Sequence, residues 1–587
     1  MKVASWSSAM LAVLILTLVA DTFPRAPLGT DLDSSWAAVL EYAAQHHLQY
    51  GKEVVFTYGP LGFLTTSRTI PGPGITRNVV DLGLCLITSA GICLLAWRMT
   101  ILWRILLLAA FALVSANGHF GTSELLINLG LFSWALMCLL EERPRGALFG
   151  VVLALIAAFA VLVKFSCLVT AVMTLGAVIC DLVLRKRLWI ATATAGLFGS
   201  GVLILWTALG QDWGNLGAYL VNGWAVASGY DQAMGTAKLI SPAALLGCLT
   251  ILTSVLGTIS VRALNWAHSG SRMGRWRRWL LWLWLCGLLF LFWKHGLVLA
   301  DGYHVRFFVF FAVVLILGLE AVPAANRVRT EWARGLTAVG CVCAALTIQQ
   351  MFFPGYLLYL VQHTIRMPGQ RLALLLNADK FWGRIRAQQE SAHRNAQLPR
   401  LRALVGDATV DLFGHSQAFV LINHFNYRPR PVFQSYAAYT PRLIGINEDF
   451  YLSRRAPDFV LFRLDPFPSR LPALEDSAAL RHLLINYHPV EAEGSYLLLQ
   501  KTRPQPQPAS LTLLREGTIP LGKPLPVPDL RDLNCWLEID VKPTLLGRAR
   551  KFFYRSPDLK VKLWSNDPAE DGKEFLAPAR MLASGFL

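Results

Sequence analysis

Two apolar stretches of this chain meet at a single lysine. ALFGVVLALIAAFAVLV (147–163) is followed by KFS (164–166) and then by CLVTAVMTLGAVICDLVL (167–184). A helix needs about 20 mainly apolar residues to cross a bilayer, and each stretch is close to that length. A charged side chain is costly in lipid, so Lys164 marks the face at which both helices end. The segment therefore predicts a membrane-spanning helical hairpin with Lys164 at its tip.

The same pattern recurs through the first 353 residues and predicts about eleven membrane spans. These stretches are 4–20, 79–97, 101–117, 122–140, 147–163, 167–184, 188–209, 242–261, 279–293, 305–322 and 335–353. We interpret the first as a span rather than a signal peptide, because no small-x-small cleavage site precedes Asp21. The composition agrees: 54% of the residues are hydrophobic and 16% are charged, against about 25% charged in soluble domains. A disordered, fibrous or purely soluble protein is excluded.

The charges predict the orientation in the membrane. The chain has 54 basic and 37 acidic side chains, a net charge of +17. With the N-terminus in the cytoplasm, sixteen Lys and Arg residues flank the cytoplasmic ends of the spans and eight flank the other ends. An odd number of spans then places everything after about residue 354 outside. The basic excess follows from topology, so we expect no nucleic-acid partner.

Domain boundaries follow from changes in pattern. We predict a transmembrane domain (1–353), a helical connector (354–400), a small external α/β domain (401–502) and a β-rich region (511–587) behind a Pro/Gln linker. The α/β prediction rests on the strand-like segments RALVGDATVDLF, PDFVLFRL and YLLLQK. Period-two alternation in LEIDV, KFFYR and LKVKLW predicts a β-sandwich in the last region. The predicted fold class is thus a polytopic α-helical membrane protein with an external C-terminal α/β plus β-sandwich-like region.

The first external loop, about 21–78, contains an amphipathic segment. In DSSWAAVLEYAAQHHLQYG (33–51) apolar residues follow the helical i, i+3, i+4 spacing. Asp33 is suited to cap this helix and Gly51 to end it. We expect the helix to lie at the membrane surface. It is followed by FTYGPLGFL (56–64), a turn rich in aromatic residues, glycine and proline.

Polar side chains collect at the predicted outer face. They combine acids, histidines and cations, which suits a lipid-phosphate ligand: cations bind phosphate, and a carboxylate accepts a proton. The residues are Asp31, Asp33, Glu41, His46, His47, Lys52, His119, Glu124, Lys164, Lys294, His295, Asp301, His304 and Arg306.

Several of these residues also have a structural interpretation. Asp33 fits an N-cap, Glu124 fits the first turn of a helix, and Lys164 fits a snorkelling side chain at a helix end. The pair Asp301 and His304 fits a metal, or alternatively hydrogen bonding or an ion pair with Arg306. Nine of the ten cysteines lie in or beside spans, where we expect small buried hydrophobes.

Three features together resemble the GT-C superfamily of membrane glycosyltransferases, which use polyprenyl-phosphate sugars, and especially its aminoarabinose- and mannosyl-transferring members. The family pattern has an acid after the first span, a helix ending in glycine and a Pro-Leu-aromatic turn. Here these are Asp33, Gly51 and YGPLGF (58–63). Glu124 resembles the acid that opens the fourth span in such enzymes. KFS (164–166) resembles the family's Lys-Gly-Pro break between two spans.

The resemblance covers about residues 1–353 and departs from the family pattern at two points. Aminoarabinose-transferring relatives have a lysine directly before the proline of the turn, where it binds the donor phosphate. This chain has Tyr58 and then Gly59 there. The usual Asp-Glu pair is replaced by Asp33-Ser34. The candidates for binding donor phosphate and substrate are therefore Lys52, Tyr58, Lys164, Lys294, His295, Asp301, His304 and Arg306.

The resemblance implies inverting transfer of a sugar from a polyprenyl-phosphate donor to a glycan, lipid or protein acceptor outside the cytoplasm. Asp33 would act as the general base, and Glu124 would orient the acceptor or the base. A divalent ion, Mg²⁺ or Mn²⁺, is an optional cofactor. The expected location is a bacterial inner membrane, with the C-terminal domain in the periplasm. Two alternatives remain open: a lipid-linked sugar transporter, and a non-catalytic subunit that assembles envelope glycan.

Overall fold

The computed structural model describes residues 2–22, 26–66, 68–69, 74–117, 121–142, 146–234, 240–266, 272–323, 331–504, 506–527, 534–564 and 572–587. The fold is mostly helical (66%). The α-helices of these residues are α1 (Lys2–Val19), α2 (Leu32–Gln45), α3 (Gly74–Ala96), α4 (Ile101–Ser115), α5 (Thr122–Leu140), α6 (Gly146–Val163), α7 (Phe165–Leu184), α8 (Leu188–Ala208), α9 (Leu216–Ala233), α10 (Pro242–Leu264), α11 (Arg272–Leu299), α12 (Gly302–Gly318), α13 (Glu331–Phe352), α14 (Tyr356–Leu376), α15 (Ala378–Arg394), α16 (Pro399–Val405), α17 (Ala418–Ile422), α18 (Pro441–Leu452), α19 (Ser477–Asn486), α20 (Leu545–Phe553) and α21 (Ala579–Leu582).

The β-strands of the described residues are short and belong to three sheets. They are β1 (Ala26–Pro27), β2 (Arg68–Thr69), β3 (Thr409–Phe413), β4 (Asn426–Tyr427), β5 (Phe459–Phe462), β6 (Tyr487–Glu493), β7 (Tyr496–Lys501), β8 (Lys560–Leu563) and β9 (Lys573–Leu576). The chain folds into two compact units. Unit 1 comprises Met1–Pro27, Tyr58–Trp213 and Lys238–Glu390, and unit 2 comprises Leu28–Thr57, Gly214–Ala237 and Ser391–Leu587.

Unit 1 is a bundle of apolar helices. Nine helices of the described residues are long and apolar enough to cross a membrane. They lie within α3, α5 to α8 and α10 to α13, with α12 continued to Ala321. Two shorter apolar helices, Ser7–Val19 and Ile101–Ser115, occupy the other two predicted stretches. Every residue of α5 is buried, and most of α12 is buried, so these two helices form the centre of the bundle.

The two ends of α5 differ in their surroundings. At its C-terminal end, Arg98 pairs with Glu141 at 2.5 Å, and Arg185 donates to the carbonyl oxygen of Glu141 at 2.6 Å. Arg277 Nε pairs nearby with Asp181 Oδ1 at 2.6 Å. All three arginines also donate to the carbonyl oxygen of Leu139 or Leu140, so they satisfy carbonyl groups at the end of α5 that lack partners within the helix. The other end of α5 begins two residues before Glu124.

Unit 2 contains a five-stranded mixed sheet in the order β4-β3-β5-β7-β6. Strands β4, β3 and β5 are parallel, whereas β7 and β6 run antiparallel to their neighbours. Each segment predicted to contain a strand between 401 and 502 does contain one, namely β3, β5 and β7. The chain leaves β3 towards β4 on one side and returns to β5 on the other. The carboxyl end of β3 is therefore a topological switch point, where ligands of open α/β sheets bind.

Helix α2 is part of the core of unit 2 and does not lie exposed as a surface helix. Nine of its residues are buried, among them Trp36 and Leu40. Ser35 Oγ accepts a hydrogen bond from the backbone N–H of Ala418, and Tyr42 donates to the carbonyl oxygen of Tyr427. The prediction of a membrane-surface helix was wrong, because apolar residues at helical spacing fit a sheet as well as a bilayer.

A buried charge network ties this sheet together. Arg430 is fully buried; its Nη1 lies 2.9 Å from Asp411 Oδ2, and its Nε lies 2.9 Å from Asp476 Oδ2. Tyr451 donates to Asp411 at 2.7 Å, and Asn447 donates to Asp476 at 2.7 Å. One guanidinium thus joins strand β3 to the start of α19.

The described residues between 511 and 587 contain fewer strands than the sequence predicts. Strand β8 coincides with LKVKLW and pairs with β9. KFFYR (551–555) was predicted as a strand, but its first three residues form the end of α20, whose N-terminus is capped by Thr544 Oγ1. That cap favours a helix, and apolar residues at 545, 546, 549, 552 and 553 fit helical spacing. The described residues of LEIDV contribute a single bridge at Leu537.

Candidate functional site

A buried ion pair lies at the start of α5 in unit 1. Glu124 is in the first turn of the helix and is 6% exposed. Its Oε2 lies 2.6 Å from Lys164 Nζ, and its Oε1 accepts a hydrogen bond from Ser166 Oγ at 2.6 Å. Two residues separated by forty positions therefore meet directly, and Lys164 does not snorkel towards solvent. The first-turn position of Glu124 is confirmed, but its carboxylate is bonded to side chains of another helix pair.

The turn YGPLGF (58–63) fits against the break between α6 and α7. Gly59 donates to the carbonyl oxygen of Val163, and Leu61 donates to that of Leu162, both at 2.9 Å. These bonds satisfy two carbonyl groups that the end of α6 leaves without partners. Lys164 has an extended backbone and forms a bridge with Tyr58, whose ring lies 5.0 Å below the ammonium group.

Gly62 is required for this close approach. A Cβ atom at position 62 would lie 2.7 Å from Tyr58 Cβ and 3.1 Å from the carbonyl oxygen of Val163. Any larger residue would push the turn away from the helix break. The turn, the break and Glu124, which lie far apart in the sequence, thus form one continuous polar cluster in unit 1.

Two histidines extend the cluster towards α12. His295 Nδ1 lies 3.9 Å from Glu124 Oε1, and its ring lies 5.9 Å from that of His304. His304 Nδ1 lies 2.8 Å from Asp301 Oδ2, and Asp301 also caps α12 by accepting from the backbone of Tyr303 and His304. Burial raises the pKa of Asp301. The bonds from His304 and from these backbone groups lower the pKa by a larger amount, so the net shift is downward.

Arg306 lies in an aromatic cage on α12. The side chain is 4% exposed, and its Nε donates to Gln349 Oε1 at 3.0 Å. The guanidinium lies 5.1 to 5.5 Å from the ring centres of Tyr303, Phe353 and Tyr356. Among the described residues, neither terminal nitrogen has a hydrogen-bond partner. Of the alternatives predicted for Asp301, hydrogen bonding is confirmed by its contact with His304, and the described residues contain no ion pair between Asp301 and Arg306.

Asp33 belongs to unit 2 and does not cap α2. The cap is Asp31, which has an extended backbone and accepts from the N–H of Ser34 at 3.0 Å and from its hydroxyl at 2.6 Å. Asp33 lies in the first turn, and its Oδ1 accepts from Trp36 Nε1 at 3.0 Å. The prediction of Asp33 as the cap was wrong by two residues, because only position 31 precedes the helical backbone.

Gly51 does not end α2, which stops at Gln45. It has φ +85° in a later turn, where a Cβ atom would lie 2.3 Å from the backbone nitrogen of Tyr219. Glycine is needed there for a close backbone contact within unit 2 and not for helix termination.

Residues near the carboxyl ends of β3 and β5 were not identified from the sequence. His415 Nε2 lies 3.2 Å from Asp465 Oδ2, and the His415 ring lies 6.3 Å from that of Tyr436. Burial raises the pKa of Tyr436 well above its usual value, and the nearby Tyr230 and Asp33 raise it further. Asp33 therefore has Tyr436 in its electrostatic surroundings. The signal in the sequence was GHS directly after a buried strand, at a position where α/β domains bind ligands.

Three further candidates lie in different parts of the chain. Lys52 is exposed in unit 2, Lys294 is half-buried in α11, and His119 lies outside the described residues. In the part of the chain that the structure describes, no three His, Cys, Asp or Glu side chains come together as a metal site. Asp301 and His304 are two donors only.

Comparison with known proteins adds no family assignment. No family model matches the chain, and no curated protein matches it in sequence. The long apolar helices indicate a membrane protein.

Proposed function

We propose that this protein is a membrane glycosyltransferase of the GT-C type, which moves a sugar from a polyprenyl-phosphate donor to an acceptor outside the cytoplasm. One observation carries the proposal: within unit 1, the turn YGPLGF (58–63), the break at Lys164 and the acid Glu124 are in direct contact. Those three elements were selected from the sequence because they resemble family motifs. Their convergence is what a shared site requires.

Arg306 is the side chain best suited to the donor phosphate. Lys164 is already paired with Glu124, whereas Arg306 has two buried terminal nitrogens with unused donors among the described residues. A guanidinium binds phosphate through two parallel hydrogen bonds. It would offset the charge that develops on the departing phosphate. The pair Glu124–Lys164 holds the helix break and the turn in position.

Asp33 is the proposed general base. Because Asp31 caps the helix, the carboxylate of Asp33 is not used for capping, and its one bond among the described residues comes from Trp36. The base removes the proton from the acceptor hydroxyl, and the acceptor oxygen forms a bond to the anomeric carbon of the sugar. The sugar–phosphate bond breaks at the same time, and the phosphate leaves with that bond's electron pair. The free polyprenyl phosphate and the glycosylated acceptor are the products. A bacterial inner membrane, with unit 2 on the periplasmic side, is the proposed location.

The test uses the full-length protein reconstituted with a panel of polyprenyl-phosphate sugars and envelope glycans or lipids as acceptors. Release of polyprenyl phosphate is measured for the wild type and for Asp33→Asn. We expect turnover with one donor and a loss of about 10²- to 10⁴-fold in the variant, which is typical for removal of a general base. Asp407→Asn is the matched control, because Asp407 is a fully exposed acid in the same unit.

Two results would contradict the proposal. Turnover of Asp33→Asn at the wild-type rate rejects the assigned base. Counterflow of an intact lipid-linked sugar across the vesicle, without release of polyprenyl phosphate, identifies a transporter instead.

A further inference from the structure

Helix α20 presents a large apolar surface to its surroundings. Four bulky side chains are strongly exposed: Leu545 (83%), Leu546 (81%), Phe552 (59%) and Phe553 (64%). None of the residues of α20 is buried, so the helix contributes no side chain to the core of unit 2. Exposed apolar groups occurring singly are ordinary, but a contiguous set of this kind marks an interaction surface.

The four side chains share one face of the helix. At 100° per residue, positions 545, 546, 549, 552 and 553 fall within an arc of about 120°. Arg548, Arg550 and Lys551 occupy the rest of the circumference, and α20 contains no acid. An apolar face bordered by cations is the pattern of helices that lie in the headgroup region of a bilayer.

The cations define the chemistry of the partner. Arg548 and Arg550 are exposed on either side of the apolar face, whereas Lys551 Nζ lies 3.7 Å from Asp231 Oδ1 at the end of α9. Ser556, just after α20, also donates to Asp231, at 2.9 Å. Lys551 and Ser556 therefore fix the helix to α9, whereas the two exposed arginines are accessible to an anionic partner.

Short links join α9 to two of the long apolar helices. Seven residues separate its start from the end of the apolar helix α8, and eight separate its end from the start of α10. A link of eight residues spans at most about 29 Å, so the chain tethers α9 on both sides to helices that we expect to cross the bilayer. Leu220, Val221 and Trp224 are exposed along α9, and tryptophan is enriched at membrane interfaces.

We propose that α20, together with the exposed side chains of α9, binds the surface of a bilayer that contains anionic lipid. The leucines and phenylalanines of α20 enter the headgroup region, and Arg548 and Arg550 contact lipid phosphates. This contact is independent of any reaction at Asp33 or Arg306. It gives unit 2 a second attachment to the membrane besides its covalent links.

The experiment measures amide hydrogen exchange over 545–553 in the full-length protein. The protein is placed in nanodiscs of phosphatidylcholine alone and of phosphatidylcholine mixed with phosphatidylglycerol. We expect exchange to be on the order of tenfold slower with the anionic lipid, because each surface cation adds to binding. Added salt should reduce the difference, since it screens exposed charges.

The variant is the double substitution Arg548→Glu and Arg550→Glu. It should abolish the effect of anionic lipid while leaving exchange in strand β3 unchanged, which shows that unit 2 remains folded. Arg454→Glu with Arg515→Glu is the matched control, because both side chains are exposed elsewhere in unit 2. The control should behave like the wild type.

Two results would overturn the proposal. Equal exchange over 545–553 in both lipid mixtures would show that α20 does not bind anionic lipid. Protection that depends on protein concentration and not on lipid charge would identify a second copy of the chain as the partner. A further variant, Leu546→Asn with Phe552→Asn, tests the apolar contribution and should lose protection in the anionic lipid.

Discussion

Two buried arginines, Arg430 in unit 2 and Arg306 in unit 1, have opposite surroundings. Arg430 makes four hydrogen bonds, to Asp476, Asp411, the carbonyl oxygen of Leu412 and Ser435. Among the described residues, Arg306 makes one, to Gln349, and otherwise packs against three aromatic rings. Both side chains are at least 96% buried. The buried guanidinium of Arg430 therefore has several hydrogen-bond partners, whereas that of Arg306 keeps most of its donors unused among the described residues.

The difference separates a structural role from a binding role. Burying a charge without partners is costly, so an arginine that is bonded on all sides holds a fold together. An arginine with unused donors destabilises the fold unless other interactions offset the cost of burying its charge. Cation–π contacts offset part of this destabilisation, and an anionic ligand would offset the rest.

Replacing Arg430 by methionine should produce the largest loss of stability. Arg430→Met leaves Asp411 and Asp476 buried without their cation, and removal of one partner from a buried ion pair costs about 3–5 kcal/mol. Pulse proteolysis in urea, followed through cleavage between 401 and 502, measures the free energy of unfolding of unit 2. Arg454→Met, an exposed arginine in the same unit, is the control and should change little. If the free energy of unfolding of Arg430→Met equals that of the wild type, Arg430 does not have the structural role assigned to it.

Replacing Arg306 should affect binding more than stability. Arg306→Met breaks one hydrogen bond and the aromatic contacts, so we expect a loss of about 1 kcal/mol in stability. The donor KM should rise about 10- to 100-fold, because charged hydrogen bonds to phosphate are lost. Arg306→Lys keeps the charge but lacks the planar fork, and it should restore only part of the affinity. A large loss of stability with an unchanged donor KM would make Arg306 another structural arginine.

Much of unit 1 could be predicted from its sequence because a bilayer imposes one simple requirement. Apolar helices occupy all eleven predicted stretches of the described residues, and Glu124 opens α5 as expected. A run of about 20 apolar residues has few other stable structures. The contact between Glu124 and Lys164 was predicted only as a shared face, since pairing depends on how helices pack.

Unit 2 was harder to predict because its elements come from distant parts of the chain. Helix α2 lies more than 350 residues before the sheet that buries it, and its apolar face fits either a membrane or a protein core. Asp31 and Asp33 both precede or enter the helix, and only backbone geometry distinguishes the cap from its neighbour. His415, Asp465 and Tyr436 were missed, since each is unremarkable until the sheet brings strand ends together.

Asp476, one of the two acids that pair with Arg430, should make the stability of unit 2 depend on pH. Burial raises the pKa of Asp476 to about 7 and the charge of Asp411 adds to it, although Arg430 and Asn447 oppose the shift. An unfolded aspartate has a pKa of about 3.9. Between about pH 4 and 7 the folded state holds a proton that the unfolded state has lost, so stability falls as pH rises. The expected slope is up to about 1.4 kcal/mol per pH unit, and it levels off above pH 7.

Asp476→Asn isolates this contribution, because asparagine cannot ionise and still presents an oxygen to Arg430 and Asn447. Urea unfolding of unit 2 at pH 5, 6, 7 and 8 should show the slope in the wild type and a flatter profile in the variant. Asp407→Asn, at an exposed position, should keep the wild-type slope. Parallel profiles for the wild type and Asp476→Asn would mean that Arg430 holds both carboxylates ionised throughout. The network would then stabilise unit 2 without any dependence on pH in this range.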